Sequence, residues 1–486
     1  MKQLTGLDAT FLYLETPTNF GHVSGLAIYE RPDDPDFSPY QAAREMFESQ
    51  IDMLEPFRRR VVEVPFGIDR PYWIEDPNFD LDYHLRHLAI PAPGDNQQLA
   101  AQVARIIGRP CDRSKPLWEC YVLEGLESGD FALLTKIHHA TVDGAAGAML
   151  SVMLLDNAPD TPLAVPGELP PPDSVPSEGE MWLRGIGNLV RSPDRVTRIG
   201  LRLAQQVAEA ARVEGAGKVV SAARNMVSGS RSRPRDDRDS APEVPSTSAP
   251  STSLNKMISA HRRVAFGSVE LDRIKEIKNA AGVTLNDVVM AACSGALRKY
   301  LAAKDDLPED PLIGMIPVSI RTGDEADPWT NRVSGIFCAL PTHLEDPTEQ
   351  MAFVHEAMVA AKSDWDLLPA DMMVDIADMA PPVLAARAAR VAAALRIADR
   401  LNPPMNLIIS NVPGPRNPLY LRGAKMKHNI PVSTIADGQA LNITVQSYLN
   451  TLDFGLVADR DIVPDLWDLC DLCVEEVEVI AKAVGV

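Results

Sequence analysis

The chain has 486 residues, enough for two large lobes and the segments that join them. With 45% hydrophobic and 23% charged residues it is neither a disordered nor a collagen-like chain. A formal charge of −20 argues against a polyanion binder, because nucleic-acid affinity rests on Lys and Arg neutralising phosphates; no nucleic-acid partner is expected.

The first ten residues lack the continuous apolar core of a signal peptide, and no window offers a run of apolar residues of membrane-spanning length. Any membrane contact is therefore expected to be peripheral. Residues 1–155 alternate strand-like and helix-like segments, with strands predicted at Val23 to Tyr29 and Phe131 to Ile137, and read as an α/β lobe.

The second of these strands runs into the segment that carries the chemistry. His138 and His139, two of only nine histidines, are followed by Asp143 and Gly144 and then by an Ala-rich helical stretch. A histidine at a strand end sits at the rim of a sheet, where a cleft can reach it. Its near-neutral pKa suits it to take a proton from a hydroxyl. Asp143 falls at the start of the following helix, where the helix dipole favours a carboxylate, and Gly144 permits a tight turn. No Gly-x-Ser-x-Gly elbow is present and no cysteine adjoins the histidines, so the pattern favours direct attack by an activated hydroxyl over a covalent acyl-enzyme. Two histidines that only hydrogen-bond within a turn would give the same local pattern.

From residue 156 to 255 the composition changes. Pro159 to Glu180 is rich in Pro, Asp and Glu and cannot form a regular helix or a central strand, and Gly229 to Leu254 reads as linker. Between them, Met181 to Val227 is a basic island carrying Arg184, Arg191, Arg195, Arg198, Arg202, Arg212, Lys218 and Arg224. Ile199, Leu203 and Val207 recur there at helical spacing. Such a helix either lies on an anionic bilayer or packs on the lobes with its arginines in water.

Residues 256–486 read as a second α/β lobe. Thr284 and Asp287 form a capping-box pattern ahead of an apolar run from Val288 to Leu301. Strands are predicted at Leu312 to Ile320, Ile336 to Pro341, Asn406 to Ile409 and Ile443 to Tyr448, and an Arg-rich helix at Pro382 to Leu401. The six cysteines are scattered, which fits a reducing compartment, and Cys470-x-x-Cys473 has no second pair to complete a zinc site.

The His138-His139-x-x-x-Asp143-Gly144 stretch resembles the active-site motif of the bacterial wax ester synthase/diacylglycerol acyltransferase family, itself similar to coenzyme A-dependent acyltransferases that share His-x-x-x-Asp-Gly. Further segments resemble that family in order along the whole chain: Leu7-Asp8-Ala9-Thr10-Phe11-Leu12, His22-Val23, Pro116-Leu117-Trp118, Leu285-Asn286-Asp287-Val288, Pro317-Val318-Ser319-Ile320-Arg321 and Ser410-Asn411-Val412-Pro413-Gly414-Pro415. Thr330-Asn331 departs from the Gly-Asn of many members, and Asp453-Phe454-Gly455 resembles a structural motif of plant acyltransferases.

The resemblance implies an α/β fold of two chloramphenicol-acetyltransferase-like lobes, each a mixed sheet with flanking helices, joined by a long linker with helical segments. It implies a tunnel between them with His139 at its middle as general base. His138 would be a neighbour that shapes the turn, and Asp143 would be structural, paired with Arg321. Asn286 is expected to play a polar role at the site, with Pro116, Leu117, Trp118, Ser410 and Asn411 as further substrate-binding candidates. The expected reaction is transfer of a long-chain acyl group to diacylglycerol, and also to long-chain alcohols as wax esters. Acyl-coenzyme A is the co-substrate, and no bound metal or redox cofactor is expected. The expected location is cytoplasmic, at the inner face of the membrane or on lipid droplets. Two rival readings are an acyltransferase with another alcohol or amine acceptor or a carrier-protein donor, and a non-catalytic lipid-binding paralogue.

Overall fold

The computed structural model describes residues 1–142, 152–191, 249–319, 329, 331, 333–366, 396–399 and 403–486. In chain order the first strands are β1 (Lys2–Gln3), β2 (His22–Tyr29), β3 (Arg59–Val62), β4 (Tyr72–Glu75), β5 (Leu85–Ala89), β6 (Trp118–Glu124) and β7 (Phe131–His138). Beyond the linker come β8 (Arg262–Glu270), β9 (Leu312–Ser319), β10 (Val333–Leu340), β11 (Leu407–Val412), β12 (Tyr420–Leu421), β13 (Ala424–Val432), β14 (Leu441–Tyr448) and β15 (Thr451–Asp459). They form two six-stranded sheets, ordered β12-β13-β2-β7-β6-β5 and β10-β9-β11-β14-β15-β8, and a small sheet β1-β4-β3. Both large sheets are mixed. β5 runs parallel to β6 and β11 parallel to both β9 and β14, and the other pairs are antiparallel.

In the first sheet β7 lies between β2 and β6 and is buried along nearly its whole length, as the near-continuous apolar run Phe-Ala-Leu-Leu requires of a strand covered on both faces. Its side chains alternate. Phe131 and Leu133 join Trp118, Val122, Ala43 and Phe47 of the Pro39–Gln50 helix on one face, while Ala132 and Leu134 join Leu26, Tyr121, Leu99 and Val103 on the other. That second face is covered by the Asn96–Ile107 helix, which opens with an Asp95/Gln98 capping box. The same cluster takes in Val264 and Phe266 of β8, so the helix is wedged between the two large sheets.

The second sheet is backed by the Leu285–Ala302 and Leu466–Val484 helices, and its core runs through Val288, Ala292, Leu297, Ile443, Phe454 and Leu469. The expected capping box is present: Asp287 N–H donates to Thr284 Oγ1 (3.2 Å) and Thr284 N–H to Asp287 Oδ2 (2.9 Å). All six cysteines are buried free thiols, with Cys293, Cys470 and Cys473 inside this core. Among the described residues no group of His, Cys, Asp or Glu is arranged to hold a metal ion, and no single helix is long and apolar enough to cross a membrane.

One strand changes the division of the chain. β13, from the C-terminal half, pairs antiparallel with β2 from Met426↔Tyr29 to Val432↔Ser24. The expected boundary at residue 256 therefore marks chain order, whereas the sheet that carries the histidines is completed by residues 420–432. The basic island beyond Arg191, and the predicted helix Pro382 to Leu401 apart from 396–399, lie outside the described residues.

Candidate active site

β7 ends at His138, which pairs across the ladder with His22. Both imidazoles are buried. His22 Nε2 lies 2.8 Å from the Ile107 carbonyl, and burial, aided by the Lys136 ammonium, pushes its pKa well below the ordinary range, so it stays neutral. Lys136, fully buried two residues before His138, is matched by Glu119 at 3.1 Å.

His138 is a structural centre. Its Nδ1 accepts the Ala140 N–H (3.0 Å), its Nε2 faces Glu15 Oε1 at 3.1 Å, and its backbone N–H donates to the Leu117 carbonyl (2.9 Å). Glu15 also accepts from Gly21 N–H (2.9 Å) and from Arg113 (2.8 Å). Burial alone would raise the Glu15 pKa, but His138, the Gly21 amide and Arg113 outweigh it and hold the carboxyl at about 2. Gly21 is required by close approach: a Cβ there would stand 2.7 Å from His138 Nε2.

His139 follows, half-buried at the sheet rim. Its N–H donates to the Gly21 carbonyl at 2.7 Å. Its ring stacks on Phe11, with centroids 4.1 Å apart and planes 10° from parallel. Its Nδ1 meets Asn331 Oδ1 at 2.9 Å. Asn331 comes from the second lobe, just ahead of β10, and is itself buried. Its Nδ2 donates to Asp8 Oδ1 (2.7 Å) and to the His139 carbonyl (2.6 Å), and its backbone N–H also donates to Asp8 Oδ1 (3.1 Å). Asp8 and Phe11 lie on the Gly6–Tyr13 helix, whose N-cap is Thr5.

The other expected site residues divide into three groups. Asn286, in the first turn of the Leu285–Ala302 helix, meets Asn411 of β11 (Asn411 Nδ2 to Asn286 Oδ1, 3.4 Å), with Ser410 beside it in register with Thr444. Gly414, in the turn after β11, has no room for a side chain, since a Cβ would sit 1.9 Å from the Ser447 carbonyl oxygen. Pro116, Leu117 and Trp118 correct the expectation that they line a substrate pocket. Leu117 and Trp118 are 0% and 1% exposed, and the Trp118 indole donates to the Phe57 carbonyl (2.8 Å) and stacks on His84. They hold β6 and the start of the histidine turn by packing. Asp143, Gly144 and Arg321 lie outside the described residues.

Asp8, Phe11, Glu15 and Asn331 are the side chains that local sequence reasoning did not assign to the site. Asp8 and Phe11 stand in a segment noted only for its family resemblance, Asn331 in the Thr330-Asn331 pair noted only as a departure from that family's pattern, and nothing near it in sequence points to His139. A cavity of about 310 Å³ opens elsewhere, between Met46, Met53, Leu154, Leu163 and Tyr420, and none of the candidate residues forms its wall.

Asp453 of the Asp-Phe-Gly motif is fully buried and accepts from Ser268, from His428 and from the Asn429 N–H, tying β15 to β8 and β13. Its role is structural.

Comparisons with known proteins agree with this architecture. Residues 4–289 match the wax ester synthase/diacylglycerol acyltransferase catalytic domain, and residues 329–481 the corresponding C-terminal domain. The chain is 35% identical over 489 residues to a probable diacylglycerol O-acyltransferase of Mycobacterium tuberculosis, tgs2, covering 99% of this chain and 98% of that one. It is 34% identical over 492 residues to the O-acyltransferase WSD of Acinetobacter baylyi, with the same coverage. The solved wax ester synthase/diacylglycerol acyltransferase of Marinobacter aquaeolei superposes with a TM-score of 0.70 at 28% identity, each chain fully covered. The first condensation domain of the CDA synthetase, 16% identical with a TM-score of 0.53 over 100% of this chain and 96% of that one, shares the fold. By sequence along its whole length and by the arrangement of its two lobes, this chain belongs to the bacterial wax ester synthase/diacylglycerol acyltransferase family.

Proposed function

We propose that the protein transfers a long-chain acyl group from acyl-coenzyme A to the free hydroxyl of diacylglycerol, and also to long-chain alcohols, with His139 as the general base. The observation that carries this reading is the setting of His139. Its imidazole is half-buried at the end of a central strand, clamped by Phe11 and by an Asn331 that reaches over from the second lobe. An imidazole so fixed has no need of that much support unless its orientation matters.

In the reaction His139 takes the hydroxyl proton as the oxygen attacks the thioester carbonyl. The tetrahedral intermediate collapses, the carbon–sulfur bond breaks, and the proton passes to the departing thiolate to give free coenzyme A. General base catalysis of this kind contributes on the order of 10²–10⁴-fold. A donor that stabilises the oxyanion is worth about 2.7–4 kcal/mol, and Asn286 and Asn411, brought together by the second lobe, are the side chains proposed for that polar role.

A lipid surface is the proposed meeting place with diacylglycerol, on the cytoplasmic face of the membrane or on lipid droplets. The Glu178–Arg191 helix packs on residues 64–72 through Met181, Gly185 and Asn188. That small module also presents Phe66, Trp182 and Leu183 to solvent, at 81%, 43% and 66% exposure. Aromatic and apolar side chains with a basic flanking sequence suit an anionic interface.

The test of the reaction is thiol release from palmitoyl-coenzyme A with dioleoylglycerol or hexadecanol supplied, beside His139→Ala. Acceptor-dependent release that the substitution abolishes is expected. Equal release by wild type and variant would overturn the role of His139.

A further inference from the structure

The contacts around Asn331 determine more than where His139 sits. Both groups that meet the Asn331 amide nitrogen are acceptors: the Asp8 carboxylate at 2.7 Å and the His139 backbone carbonyl at 2.6 Å. Asp8 Oδ1 also takes the Asn331 backbone N–H, so that oxygen is occupied as an acceptor. Turning the amide over would set its oxygen against two oxygens and leave its nitrogen facing His139 Nδ1. The orientation with Oδ1 toward the imidazole is thus the one that satisfies all four groups, and an acceptor at 2.9 Å requires that Nδ1 carry a hydrogen.

We propose that Asn331 and Asp8 are positioning residues that hold His139 in the tautomer protonated on Nδ1, which makes Nε2 the basic nitrogen of the acyl transfer. This deepens, and rests on, the reading of His139 as general base. The chain of contacts runs from the first helix to the second lobe and back to the histidine turn, so the base is set correctly only when the two lobes are together. Phe11 fixes the plane of the ring, and Asn331 fixes which of its nitrogens is basic. Asp8 acts one step further back by fixing which way the Asn331 amide faces. Its carboxyl is 2% exposed; burial raises its pKa and the Asn331 donors oppose that shift without cancelling it, so neither residue is well placed without the other.

The test compares Asn331→Leu, which keeps the volume and removes the acceptor, with Asp8→Asn, whose amide oxygen can stand where Asp8 Oδ1 stands. In the latter the new amide oxygen still accepts both Asn331 N–H groups, so Asn331 keeps Oδ1 toward Nδ1. All variants are assayed for transfer to dioleoylglycerol against pH, with thermal melting measured alongside. The Leu variant is expected to lose about 10- to 100-fold in kcat with KM for palmitoyl-coenzyme A nearly unchanged, a part of the general-base contribution. The Asp8→Asn variant is expected to lose less activity than the Leu variant, and the Leu variant to carry the acid limb of kcat/KM to lower pH, because loss of the acceptor at Nδ1 disfavours the imidazolium. Nitrogen-15 spectra of the histidines, with His139→Gln to mark its signals, should show Nδ1 protonated in the wild type and a loss of that preference in the Leu variant.

A Leu variant with wild-type kcat, an acid limb that does not move in the Leu variant, an Asp8→Asn variant as impaired as the Leu variant, or a wild-type spectrum with Nε2 protonated would each overturn the proposal. A purely structural role would lower the melting temperature without moving the pH limb. Activity that survives in His139→Ala would instead remove the general-base reading beneath it, and so the two failures are distinguishable.

Discussion

Glu15 offers the most quantitative test of how the histidine turn is held. Its carboxylate accepts from the Gly21 amide and Arg113 and lies 3.1 Å from the His138 imidazole, and these hold its pKa at about 2 against burial, from an ordinary 4.5. A pKa unit corresponds to about 1.4 kcal/mol, so a drop of this size stands for about 3 kcal/mol of native-state stability, an upper figure because it assumes a fully solvated unfolded carboxylate. The group has a depressed folded pKa, and its contribution is complete above about pH 5 and is lost as pH falls through 4.5 toward 2. Glu15→Gln removes the charge with little change in volume. It also sets an amide N–H₂ against either Arg113 or the Gly21 N–H, a donor facing a donor.

The expected result is a stability deficit for the Gln variant of about 2–3 kcal/mol at pH 7 that narrows steadily below pH 5, because a protonated Glu15 and a glutamine are then near equivalents. Urea unfolding at a series of pH values, followed by tryptophan fluorescence for both proteins, reads the gap directly. Other carboxylates titrate in the same range, but they do so in both proteins and leave the difference intact. A deficit that stays constant from pH 7 to pH 3 would refute the charge argument, and no deficit at any pH would refute the role of Glu15 in holding the turn.

Two further outcomes follow from the same geometry. Gly21→Ala should cost about 1–3 kcal/mol and lower kcat, because the new methyl stands 2.7 Å from His138 Nε2 and 3.0 Å from the Phe11 carbonyl oxygen while Gly21 itself accepts the His139 N–H; melting and acyl-transfer assays check it. Phe66→Asp with Leu183→Asp should abolish flotation with anionic vesicles and leave the melting temperature near wild type, since both side chains face solvent; unchanged flotation would remove this module as the lipid-facing surface.

Much of the architecture was legible because it depends on local pattern. The continuous apolar run of β7 ending in two histidines, the Thr284/Asp287 capping box and the Pro-rich break after residue 156 are all read from neighbours in sequence, and the structure places β7, the Leu285–Ala302 helix and an element-free stretch before Glu178 there. Residues that act across the fold were not legible. Asn331 meets His139 from 192 positions away and Asp8 from 323, and an asparagine has no local signature of such a role. Trp118 was open to a pocket reading because a Pro-Leu-Trp stretch does not reveal which way the indole faces. The ring cluster with Phe47, Phe57 and His84 settles that only in three dimensions.

The entry of β13 into the first sheet explains why the site cannot be assigned to one half of the chain. β2 carries His22 and pairs with β7 through His22↔His138, and its other edge is covered only by β13, from residues 424–432. Without that strand β2 would be an exposed edge directly beside the strand that presents the histidines. The C-terminal half of the chain thus enters the site twice. It closes the sheet behind the histidines with β13, and it contributes Asn331 in front of His139. The Asn96–Ile107 helix, packed on the first sheet and on β8, fixes the distance over which these two contributions must act together. Under the proposed role of His139, any displacement of Asn331 from the first helix and the histidine turn would break the contact that orients the imidazole.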